Sequence, residues 1–152
     1  MQISVETIIA AGRASVWKAF EDADNLQRWQ PTLKSCELVS GVSGQPGSIV
    51  RLVYDENGHK VEMQGQVTER RALEVIRGTY ETPVERHTVE NIFSQLDEGT
   101  TRWRMTSDYR FKGLMPRLMS RCLRGTITRR IIGDMQRFKT MVETDLGADL
   151  AA

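Results

Sequence analysis

Residues 50–67 read VRLVYDENGHKVEMQGQV, and their reading decides the fold. Asn57-Gly58 supplies the two positive φ angles of a type I′ turn, whose twist matches that of the strands on either side. Beyond the turn, Val61, Met63, Gly65 and Val67 alternate with Lys60, Glu62, Gln64, Gln66 and Thr68. Before it, Val50, Leu52 and Tyr54 oppose Arg51 and Asp55. A period of two with one apolar face is a half-buried strand, and two strands joined this tightly run antiparallel.

The same grammar continues outward. Turn chemistry at Gly44-Gln45-Pro46-Gly47, Thr82-Pro83 and Leu96-Asp97-Glu98-Gly99 separates six predicted strands near 33–41, 48–56, 59–69, 72–81, 84–96 and 100–111. A seventh strand over 2–9 places Ile3, Val5, Thr7 and Ile9 on one side. Helical spacing follows it. Val16, Trp17 and Phe20 share a face, and a second short helix at about 23–29 carries Leu26 and Trp29 before Pro31 ends it. A long helix is predicted over about 115–146, with Pro116 in its first turn. Its apolar stripe steps by three and four through Met115, Leu118, Met119, Cys122, Leu123, Ile127, Ile131, Met135, Phe138, Met141 and Val142. A helix striped on one face must bury the stripe, and the only large partner is the sheet. The expected class is α+β: seven antiparallel strands curved around a long C-terminal helix, with two short helices between strands 1 and 2.

Composition narrows the rest. The chain has 152 residues, a net charge of +1, 27% charged and 39% hydrophobic residues. With no repeat, linker or compositional break, residues 1–152 read as one domain. Disorder is excluded, and no apolar run is long enough to span a bilayer. No signal peptide is expected from the N-terminal segment, so the expected location is cytoplasmic. Near-zero net charge gives no electrostatic case for nucleic acid. Cys36 and Cys122 form no CxxC and have no metal-ligand spacing to His59 or His87; they read as reduced, buried thiols, with no metal site. GxSxG, Walker A and strand-linked GxGxxG motifs are absent, and no cofactor is expected.

The inner face is the informative surface. Placing Arg86 and Glu90 outside directs His87, Val89, Asn91 and Phe93 inward. In 102–111, Trp103, Met105, Ser107, Tyr109 and Phe111 share the inner side. The facing of strand 72–81 stays open between Ile76, Gly78, Tyr80 and Leu73, Val75, Arg77. Polar groups on an apolar concave face either satisfy one another in a core or line a cavity. In the cavity reading, the wall comprises Leu52, Tyr54, Val61, Met63, Tyr80, His87 and Asn91, then Phe93, Trp103, Met105, Ser107 and Tyr109, with Met115 and Met119 from the helix.

Ser15-Val16-Trp17-Lys18-Ala19-Phe20 and Asn25-Leu26-Gln27-Arg28-Trp29-Gln30-Pro31 resemble the START-like superfamily with the helix-grip fold, home of the birch-pollen allergen, lipid-transfer domains and polyketide cyclase/dehydrase-like proteins. Gly44-Gln45-Pro46-Gly47-Ser48 is similar to that superfamily's glycine-rich loop, and Gly99-Thr100-Thr101-Arg102-Trp103 to its last hairpin. The resemblance spans essentially the whole chain. It implies a hydrophobic cavity between sheet and long helix, gated by loops and the two short helices, on a scaffold that hosts carriers, receptors and enzymes alike.

Three functions are compatible with these residues. A carrier would hold the apolar body of a hydrophobic or aromatic small molecule while Tyr109, Asn91 and His87 orient its polar end. A cyclase or dehydratase would use His87 as base and Tyr109 as donor to a developing enolate oxygen. A membrane-surface or protein-interaction module would use segment 110–130, which holds Arg110, Lys112, Arg117, Arg121, Arg124, Arg129 and Arg130 and no acidic residue, for transient contact with anionic lipid.

Overall fold

The computed structural model describes residues 1–114 and 117–151, with side chains over 1–114 and 118–150. Expectations placed on Met115, Pro116 and the Arg117 side chain lie outside the described residues. The chain runs β1 (Gln2–Ile9), α1 (Arg13–Glu21), a 3-10 turn (Ala23–Asn25), α2 (Leu26–Trp29), β2 (Leu33–Ser40), β3 (Ile49–Glu56), β4 (His59–Arg71), β5 (Val75–Glu81), β6 (Glu85–Asp97), β7 (Thr100–Phe111) and α3 (Arg117–Ala151). Seven strands form a sheet ordered β1-β7-β6-β5-β4-β3-β2, and every neighbouring pair is antiparallel. α3 packs chiefly on β1 and α2.

The deciding hairpin forms as its residues dictate. Asn57 and Gly58 adopt φ of 55° and 85°, and the Gly58 amide donates to Asp55 Oδ1 at 2.8 Å. Leu52 and Met63 face each other across it and are buried with Leu33 in a small cluster of their own. The larger cluster joins Ile3 and Ile9 of β1, Val16 and Trp17 of α1, Phe93 and Trp103 of the sheet, and Ile127, Ile131, Met135, Phe138, Met141 and Val142 of α3.

The open facing of the fifth strand resolves through register. Tyr80 pairs with His87, Gly78 with Val89 and Ile76 with Asn91, so these three residues join the inner side. Arg77 faces out, where it pairs with Glu69 and Glu90. The strand begins at Val75 rather than 72, because residues 71–74 make a turn with Leu73 at φ 67° and the Glu74 amide bonded to the Arg71 carbonyl.

Other expectations change in detail. The second short helix divides into the 3-10 turn and α2, with Asp22 Oδ1 capping the turn at the Asp24 amide. The stripe of α3 is buried only from Ile127 onward. Leu118, Met119 and Cys122 are exposed, since the first turns of the helix stand clear of the sheet. The expectation of two buried thiols is likewise corrected: Cys36 lies on the edge strand β2 and Cys122 on those clear turns, and both are exposed.

The two faces of β4 make a direct test of this assignment. Met63→Arg puts a charge on the buried inner face and is expected to cost on the order of 2–3 kcal/mol in urea denaturation, while Gln64→Arg next to it stays within about 0.5 kcal/mol of the parent. Equal losses at both positions would contradict the assigned faces.

Candidate functional site

The inner space is filled at one end and hollow at the other. At the filled end, rings from five elements interlock. Phe20 of α1 lies 5.1 Å from Phe93 and 5.5 Å from Trp103, centroid to centroid, both edge-on. Trp29 of α2 meets Trp103 at 5.8 Å and Phe138 of α3 at 5.4 Å, again edge-on. Trp17 closes on Phe93 at 5.6 Å. Edge-to-face pairs of this kind add roughly 0.5–1.5 kcal/mol each beyond their burial.

Beyond this plug lies a chamber of ≈ 240 Å³ between the two apolar clusters. A vestibule of ≈ 480 Å³ adjoins it, sharing Thr32, Glu56, Val61, Met63, Tyr109 and Arg130 with its wall. The sheet floor is a ladder of flat rings. Tyr80 stacks on His87 at 5.3 Å, His87 on Tyr109 at 4.5 Å, and Tyr109 on Phe111 at 6.3 Å. Two glycines allow it: a Cβ on Gly65 would sit 2.9 Å from the Tyr80 ring, and one on Gly78 would sit 3.3 Å from it.

Polar groups converge where chamber and vestibule meet. Arg130 of α3 is ion-paired with Glu56 at the end of the β3–β4 hairpin, so the pair spans from helix to sheet. Tyr54 donates its hydroxyl to Gln30 Oε1 at 3.1 Å. Burial pushes the Tyr54 phenol far above its usual range, only partly opposed by the Arg130 charge. Burial likewise raises the phenols of Tyr80 and Tyr109, with Arg130 opposing at Tyr109. All three remain neutral hydroxyls near neutral pH, able to donate as well as accept. His87 is buried, at 8% exposure; its Nδ1 lies 3.3 Å from Glu85 Oε1 at an angle that makes no hydrogen bond.

The structure sorts the residues expected from sequence. Leu52, Tyr54, Val61, Met63, Tyr80, His87, Asn91, Met105, Ser107 and Tyr109 line the chamber. Phe93 and Trp103 do not; they belong to the plug, held there by contacts with the short helices. Asn91 is partly engaged, because its Oδ1 accepts from Trp103 Nε1 at 3.0 Å. Met119 points to solvent at 56% exposure and has no place in the wall, since its turn of α3 clears the sheet. Met115 lies outside the described residues. Sequence reasoning missed Gln30, Glu56, Arg130 and Asp134, all of which reach the chamber. A signal existed for two of them: Arg130 and Asp134 keep the helical step with the buried Ile127, Ile131 and Phe138. Among the described residues no His, Cys, Asp and Glu cluster is able to hold a metal ion, and no helix is long and apolar enough to cross a membrane.

Residues 1–143 match the family model described as polyketide cyclase / dehydrase and lipid transport. No curated protein matches the sequence. Solved structures of similar fold include the Zhui aromatase/cyclase from Streptomyces sp. R1128, with a TM-score of 0.82 and 19% identity over 96% of this chain and 95% of that one. A START superfamily protein from Mycobacterium smegmatis aligns with a TM-score of 0.77 and 17% identity, over 94% of this chain and 97% of that one. Ara h 8.0201 aligns with a TM-score of 0.76 and 14% identity, over 95% and 98%. At these identities the likeness shows the helix-grip fold.

Asp134 gives the site a pH signature. Burial raises its carboxyl pKa, and the hydrogen bond from Arg137 with the charges of Arg137 and Arg130 offsets only part of that rise. The folded chain therefore holds this proton more tightly than the unfolded one. The stabilisation is complete below the unfolded carboxyl pKa and is lost as pH rises through the raised value. Asp134→Asn is expected to gain more stability over the parent at about pH 7 than at about pH 4 in urea denaturation. A larger gain at the lower pH would contradict this.

Proposed function

The chain belongs to the polyketide cyclase / dehydrase and lipid transport family, and from that premise we propose that residues 1–152 act as one cytoplasmic domain that binds a hydrophobic, oxygen-bearing aromatic or polyketide-like molecule. The observation that carries this reading is the divided wall of the chamber. Leu52, Val50, Val89, Met105 and Ile131 supply apolar surface, while Tyr109 and Arg130 bring hydrogen-bond donors to its junction with the vestibule. An apolar pocket with a few convergent polar groups is the general form of a small-molecule site. The chamber alone falls below the ~300 Å³ at which drug-sized ligand sites begin, and the vestibule brings the space into that range.

The chemistry follows from the protonation states. A neutral phenol and a guanidinium both donate, so carbonyl or phenol oxygens of a ligand match them. The rings of Tyr80, His87 and Tyr109 stack on one another, so they offer their edges to the face of a planar body. Arg130 would exchange part of its contact with Glu56 for the ligand oxygen, with Glu56 free to turn toward solvent.

A second reading, as a cyclase or dehydratase, draws support from His87. Its Nδ1 makes no hydrogen bond, and its ring stacks on Tyr109 beside Glu85. In that reading the imidazole takes a proton from a bound polyketide chain and the Tyr109 hydroxyl donates to the enolate oxygen that forms.

Native mass spectrometry of the purified chain is expected to show a co-purified hydrophobic molecule or uptake of 1-naphthol. Trp29 lines the chamber, so its fluorescence reports binding. 1-Naphthol is expected to bind more tightly than naphthalene, and Arg130→Met to reduce that preference about tenfold, equivalent to ~1.4 kcal/mol. A clean apo mass with no response to either compound would contradict the binding reading. His87→Ala binding as the parent does but losing turnover on a polyketide substrate would favour the enzyme.

A further inference from the structure

The rim of the vestibule combines two features that a solvated surface does not need together. The first is exposed apolar bulk. Leu114 is 106% exposed, Leu118 74% and Met119 56%, and Val84, at 67%, accepts at its carbonyl from the Lys112 amide, two residues before Leu114. Single exposed apolar residues are ordinary, whereas a cluster rimmed by charge marks a contact surface.

The second is uncompensated positive charge. Lys112 and Arg130 have carboxylate partners in Glu81 and Glu56. Arg110 pairs with Asp108 at 3.8 Å. Among the described residues no carboxylate lies within ion-pair distance of Arg121, Arg124 or Arg129. The vestibule wall takes Thr82, Val84, Phe111, Leu123 and Thr126 from the same strand ends and helix turns. Leu114, Leu118, Met119 and Arg121 thus lie in the chain between Phe111 and Leu123, two residues of the vestibule wall.

Charge decides the occupant. A second copy meeting this face across a two-fold axis would set arginines against arginines. Nucleic acid would find cations but no exposed aromatic ring to stack on, and Leu118 and Met119 would gain nothing. An anionic bilayer offers phosphates and carboxylates to the arginines and an acyl boundary to the leucines. We propose that this rim docks on anionic lipid bilayers with the mouth of the vestibule facing the membrane. The docking rests on none of the ligand reading: a chain that binds vesicles but not 1-naphthol keeps this inference and loses the other.

Vesicle sedimentation tests it. The chain is expected to pellet with phosphatidylcholine–phosphatidylserine vesicles at about 50 mM salt, to be released at about 500 mM, and to ignore pure phosphatidylcholine. The double variant Leu118→Glu/Met119→Glu is expected to weaken binding at least tenfold, as is Arg121→Glu/Arg124→Glu. Leu150→Glu, on an exposed residue at the other end of α3, leaves it unchanged. Circular dichroism and Trp fluorescence confirm that each variant folds. Absence of binding to the anionic vesicles at low salt overturns the proposal. So does binding that survives Leu118→Glu/Met119→Glu while a soluble polyanion competes it away, which indicates a plain polyanion contact.

Discussion

The contact of Phe138 with Trp29 and Trp103 governs the rest of the structure. It pins the middle of a 35-residue helix to a plug of rings, 5.4 and 5.0 Å away, that also receives α1 and α2. The plug is thick, and it sits toward β6, β7 and β1. The helix backbone rests on it at that end, and α3 meets β3 through the long side chain of Arg130 paired with Glu56. The small cluster of Leu33, Leu52 and Met63 covers β2, β3 and β4 without filling the chamber. The hollow is thus a consequence of where bulk was placed.

That arrangement sets the electrostatics. Water is reduced inside the grip, so phenols stay neutral and a carboxyl such as Asp134 is pushed toward its protonated form. Arg130, at the junction of the two spaces, faces Tyr54 and Tyr109 and is tied to Glu56. Under the binding proposal, a ligand's oxygens would face Arg130 and Tyr109 and its rings the apolar wall. The family and fold fit hydrophobic ligand binding or polyketide cyclase-like function.

Much of this was legible in the sequence because strands announce their faces. The alternation in 60–68 and the Asn57-Gly58 turn placed Met63 and Val61 inward, and excluding Arg86 and Glu90 from the interior placed His87 and Asn91. Strand 72–81 was illegible for a physical reason: both of its faces carry apolar residues, and only pairing with β6 shows that Gly78 and Tyr80 look inward. Periodicity also says nothing about how far along a helix its partner extends, so Leu118 and Met119 shared the stripe of Phe138 without sharing its burial. Phe93 and Trp103 point inward as expected, yet depth along the strand, which alternation does not encode, puts them in the plug. Arg130 and Asp134 were hidden by the sound habit of reading charged helix positions as solvated.

Filling the hollow tests the central claim most directly. Val89 lines the chamber and is buried on β6 opposite Gly78. If the space is empty, Val89→Phe enters it without strain: its urea-denaturation stability stays within about 1 kcal/mol of the parent, and 1-naphthol uptake is lost. If the interior is close-packed, the added ring costs about 1–3 kcal/mol as overpacking does. That loss, with any ligand uptake unchanged, would contradict the account.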